Sequence, residues 1–111
     1  MVDESKEYPW YNLKYSIAEF MIPKLEEYRV EFIASGVCIP TWVSNDIKEP
    51  YSDKDVEILN ELWVSDLDKM ILAFKMVLNF NTAKDESIPY NESEIQKGVD
   101  LFAKHYQHLW D

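Results

Sequence analysis

The chain has 111 residues, 47% of them apolar and 14% aromatic, which suits one folded domain and is too apolar for a chain kept unfolded by lack of a core. Its 21 Asp and Glu against 11 Lys and Arg leave a net charge of −10, a surface that repels phosphate backbones and argues against direct nucleic-acid binding. Two glycines, Gly36 and Gly98, lie outside any phosphate-loop pattern, which excludes Walker and Rossmann sites, and no stretch of about 18 apolar residues offers a membrane span.

The opening Met1-Val2-Asp3-Glu4-Ser5 is acidic and has no apolar stretch of the kind a secretory signal needs. Tyr8-Pro9-Trp10-Tyr11 follow, read either as an aromatic staple onto the core or as a docking patch. A first helix is predicted over 12–34, from Leu13, Ile17, Phe20, Leu25, Tyr28 and Phe32 at helical spacing. Asn12 is its expected N-cap and Ser35-Gly36 its stop. Pro23 has no N–H to donate, so it should bend the helix or begin a second one. The connector 36–51 is long for a loop and carries Val37, Ile39, Trp42, Val43 and Ile47. Such a segment is expected to be ordered, either as a lid over one end of the bundle or as an apolar contact surface for a partner.

A second helix is predicted over 53–80, its seam running through Val56, Leu59, Trp63, Leu67, Met70, Phe74 and Val77. Ser52 and Asp55 form a capping-box pair at its start. Ser65 followed by Asp68 offers a second start, hence an alternative break near Val64. The connector 81–91 is polar and reads as plain loop. A third helix is predicted over 92–110, with stripe Ile95, Val99, Phe102, Tyr106 and Leu109, capped by Asn91 with Glu94. Gly98, at the edge of that stripe, is expected to let another helix come close.

Few residues are arranged for chemistry. His105 and His108 sit at i, i+3, a spacing that metal sites use, but a zinc site needs three or four ligands and the chain has no further histidine. They are read as two surface histidines, with no metal and no other cofactor expected. Cys38 lies between Val37 and Ile39 with no neighbouring cation to lower its pKa, so it reads as a small buried hydrophobe and not as a nucleophile. A lone cysteine fits a reducing, cytoplasmic setting. Asp53, Glu57, Glu61 and Asp68 fall on one face of the second helix, opposite its apolar seam. Outward carboxylates are poor general acids or bases, which need a dry cleft and shifted pKa values. They read either as a solvated face or as an acidic strip that imitates a phosphate row to a basic groove.

Several segments resemble a group of small phage and environmental proteins with no assigned activity: Tyr11-Asn12-Leu13, Ile22-Pro23-Lys24-Leu25, the stretch from Leu67 to Phe74, the stretch from Gly98 to Lys104, and Leu109-Trp110-Asp111. The resemblance touches all three helices and not the connector 36–51. It rests on core-type residues, so it supports fold more than function and brings no catalytic residue to this chain. It implies a phage setting, hence an accessory protein that acts on a host or viral component, in host cytoplasm if phage-encoded.

The expected architecture is an all-α, compact bundle in one domain spanning 1–111, with three helices, or four if Pro23 or Val64 splits one, and a long ordered connector. The expected function is a non-catalytic interaction protein that modulates or inhibits a host or defence protein, a protein with a basic nucleic-acid-binding groove being one candidate. Its partner-binding residues would be Glu57, Glu61 and Asp68 on the acidic strip and Trp42 and Ile39 on the connector, with homo-oligomerisation left open. The alternative is a small helical enzyme or ligand-binding bundle with a site beneath the 36–51 connector.

Overall fold

The computed structural model describes residues 13–35, 39–82 and 87–109. Three helices carry the fold: α1, Leu13–Ser35; α2, Asp53–Thr82; and α3, Glu92–His105. Two short 3-10 turns accompany them, Thr41–Val43 in the connector and Tyr106–His108 after α3. Among the described residues there is no strand, and no helix is long and apolar enough to cross a membrane. The architecture is an all-α three-helix bundle. The aromatic run 8–11, the cap Asn12, Gly36 and Cys38 lie outside the described residues.

Helix α2 is the central element, and both α1 and α3 pack on it. It begins at a reciprocal capping box. The Asp55 N–H donates to Ser52 Oγ and the Ser52 N–H donates to Asp55 Oδ2, both at 3.1 Å. Its seam is largely as expected, with Leu59, Trp63, Leu67, Met70 and Phe74 all buried. Ile71, Ala73 and Met76 are buried too, because a helix flanked on two sides needs an apolar face wider than a single stripe. α2 runs unbroken through Val64, so Ser65 begins no new helix. Asp68, its would-be capping partner, instead holds Arg29 of α1.

Helix α1 keeps its expected phase through Leu25, Tyr28 and Phe32 and departs from it before Pro23. Leu13, Ile17 and Phe20 are 53%, 44% and 61% exposed, whereas Ala18, Leu25 and Phe32 are buried, with Met21, Ile22 and Tyr28 packed beside them. Apolar residues surround this helix, so counting large side chains follows bulk, while the interface turns on the small Ala18. Pro23 lies inside the helix and does not split it. Its missing N–H deprives only the Glu19 carbonyl, and both residues are exposed, while Ala18 and Leu25 hold the turns on either side against the core.

In α3 the Asn91 side chain accepts from the Glu94 N–H at 3.0 Å, the expected cap. Glu94 does not complete the box; its carboxylate reaches Lys97 Nζ at 3.4 Å. The helix ends at His105, not at 110, and its core face is partly rotated from the expected stripe: Leu109 is buried and Phe102 packs on the core as expected, but Gly98 and His105 are buried too and Tyr106 is exposed. Gly98 does set a close approach. A Cβ there would collide with Ala73 Cβ and lie 2.5 Å from the Lys69 carbonyl oxygen.

Candidate functional site

The acidic face of α2 divides into two parts. Asp53, Glu57 and Glu61 are exposed and make no ion pair among the described residues. Successive turns set such carboxylates about 6 Å apart, close enough for their fields to add in water of ordinary salt. Asp68 is engaged instead. Arg29 Nε donates to its Oδ1 at 2.6 Å and Nη2 approaches Oδ2 at 3.5 Å. Two turns further along α2, Lys75 pairs with Glu26 of α1 at 3.1 Å.

These pairs close one half of the seam between α1 and α2. The other half is open. Phe32, Ile33, Asn60, Glu61 and Val64 line a groove of ≈ 400 Å³. Phe32 is buried, but Ile33 is 56% exposed and Glu61 stands at the edge. Asn60 Oδ1 is buried with no hydrogen-bond partner among the described residues. Sequence reasoning placed Glu57 and Glu61 but missed Ile33, Asn60 and Val64, because Ile33 falls off every apolar stripe of α1 and only the α1–α2 register reveals its neighbours.

The connector lies on the bundle from Pro40, which is buried, through Trp42 and Val43, which pack against the core. Trp42 stacks on the His108 ring at 4.4 Å and 3°, and meets Trp63 edge-on at 5.2 Å. Its ring is therefore occupied within the protein, and this part of the connector behaves as a fastening. Ile39 remains 41% exposed. Of the five residues expected to meet a partner, Glu57 and Glu61 are exposed with no ion pair among the described residues, Ile39 is exposed with its carbonyl accepting from the Thr41 N–H at 2.8 Å, Asp68 is paired, and Trp42 is half-buried.

The two histidines are not the surface pair expected. His105 is 3% exposed, edge-on to Trp63 at 5.3 Å, with Nε2 3.7 Å from Asp66 Oδ2. His108 lies under Trp42, and its carbonyl accepts from the Tyr28 hydroxyl at 3.1 Å. The cause is the rotated face of α3, which turns His105 inward in place of Tyr106, and the change to a 3-10 turn after His105, which winds more tightly per residue and carries His108 round. Burial lowers the His105 pKa below its ordinary value; Asp66 works against that shift, and Lys104 and His108 add to it. Among the described residues no group of three or more His, Cys, Asp or Glu is placed to hold a metal ion.

On the opposite flank of α2 the charge reverses. Lys69, Lys97 and Lys104 surround a shallow cleft of ≈ 330 Å³ with Leu101 and Asp100. Asp100 accepts from Gln96 at 2.8 Å and Lys97 reaches Glu94, so this cleft is partly neutralised from within α3. Comparison with known protein families, with curated proteins and with solved structures finds no match for the chain.

Proposed function

We propose that the protein is a non-catalytic interaction factor that binds a basic surface of another protein, in keeping with a phage accessory role in which it modulates or inhibits a host or defence protein. The observation that carries this reading is the unneutralised row Asp53, Glu57 and Glu61 in a chain of net charge −10. Such a row speeds encounter with a cationic partner and imposes a steep dependence on salt. A target that ordinarily grips nucleic acid presents the complementary charge. The protein is read as acting in the cytoplasm and needing no cofactor.

The alternative, an enzyme or ligand-binding bundle with its site beneath the connector, has the His105–Asp66 pair on its side. Against it, the rings beneath the connector occupy one another: Trp42 covers His108, and Trp63 meets both Trp42 and His105. The test begins with a pull-down from host lysate and identification by mass spectrometry, followed by association rates measured over a range of salt. Glu57→Gln with Glu61→Gln should slow association by more than about threefold and flatten its salt dependence. An unchanged rate and slope would remove the acidic row from the account.

A further inference from the structure

We infer that the open half of the α1–α2 seam is a docking groove for a basic amphipathic helix of a partner protein, with an apolar side chain between Ile33 and Val64 and cations meeting Glu61 and Glu57. This rests on the acidic-interaction reading above and names the site and the occupant. The seam itself supplies the reasoning. In its closed half the two cations, Arg29 and Lys75, are already taken by Asp68 and Glu26. In its open half Ile33 stands exposed beside the buried Phe32, and among the described residues neither Glu61 at the edge nor Glu57 one turn away has a cation of its own.

An apolar floor with an unneutralised acidic edge selects its occupant by charge. A nucleic acid or a small anion would meet repulsion from Glu57 and Glu61. A second copy of this chain would bring its own net charge of −10 to the same edge. A helix bearing lysines or arginines beside one apolar anchor satisfies both features, the geometry by which amphipathic helices enter hydrophobic grooves. Asn60 supports the assignment. The residue lines the groove while its Oδ1 is buried without a hydrogen-bond partner among the described residues, and a turn of the amide toward the groove gives a bound helix's lysine an acceptor.

The test titrates the full chain with two synthetic fluorescent probes, a peptide with lysine and leucine at helical spacing and an oligolysine of equal charge. The expected result is that the amphipathic probe binds about tenfold more tightly than oligolysine. Ile33→Ser should abolish that advantage while leaving oligolysine binding unchanged. Glu57→Gln with Glu61→Gln should weaken both probes. Ile33 is exposed, so its substitution should leave the circular dichroism spectrum and melting curve intact, and Val64→Thr serves as a second groove variant. Equal binding of the two probes, insensitive to Ile33→Ser, overturns the groove and leaves the acidic reading standing. Binding insensitive to the Glu57/Glu61 pair as well overturns both. Self-association lost in Ile33→Ser, with no probe bound, assigns the groove to a second copy and also overturns the inference.

Discussion

The two flanks of α2 are built differently. Against α3 the helices touch nearly backbone to backbone at Gly98, and Phe74 meets Phe102 edge-on at 5.3 Å. Against α1 the contact is carried by Leu25 and Phe32, then by exposed ion pairs, and then gives way to an open groove. Close packing without side-chain freedom is costly to disturb, and the shallow cleft beside it is ringed by Lys69, Lys97 and Lys104, a charge that repels a basic partner. Exposed ion pairs add little stability, and an unfilled apolar groove adds none until something occupies it. The α3 flank therefore reads as the structural half of the molecule and the α1 flank as its working half.

Truncations on the two flanks should differ most. Phe74→Ala should cost about 3–5 kcal/mol in chemical denaturation, the usual range for a buried phenylalanine, whereas Val64→Ala at the groove should cost about 1 kcal/mol. Equal losses would mean that the flanks are packed alike. Gly98→Ala comes next. The added methyl should cost about 1–3 kcal/mol, even after the ~1 kcal/mol by which alanine favours a helix. The Lys69 carbonyl is backbone and cannot rotate away, so a stabilised Gly98→Ala variant would contradict the close approach.

His105 adds a pH dependence to the structural half. Its folded-state pKa is lowered, chiefly by burial, so the folded protein resists its protonation. The stabilisation is complete above the unfolded value of about 6.5 and declines as pH falls through it. Urea midpoints should therefore drop between about pH 7.5 and pH 5.5, and His105→Leu should flatten that slope. A midpoint that rises on acidification would mean that Asp66 dominates burial. The smallest effect belongs to the ion pair. Arg29→Gln should cost about 0.2–1 kcal/mol, because both partners are substantially exposed, and a loss several times larger would make the α1 flank as structural as the other.

Much of this was legible in the sequence where one residue type has one strong use. The Ser52–Asp55 box, the Asn91 cap, the α2 seam and the role of Gly98 were all foreseen, because capping depends on local geometry, a helical seam on residue spacing, and a glycine beside an apolar stripe has no side chain to hold a neighbouring helix off. The first turns of α1 were not, since apolar residues encircle them and only the packed partner decides which side faces in, whereas Leu25, Tyr28 and Phe32 face the core as expected. His105 was misread because a polar residue beside a stripe looks solvent-facing until the true helix face is known. The groove was invisible for a different reason. It belongs to no helix, and arises only where Ile33 and Val64 are brought together by the register of two.

The measurement that most directly tests the division of labour is a two-dimensional amide spectrum of the labelled protein with the lysine–leucine peptide added. The shifts are expected to gather on Phe32, Ile33, Asn60, Glu61 and Val64, with Glu57 beside them, and to leave Lys69, Ala73, Gly98 and Leu101 unmoved. Shifts centred on the α2–α3 seam, or spread evenly over every exposed carboxylate, would contradict it.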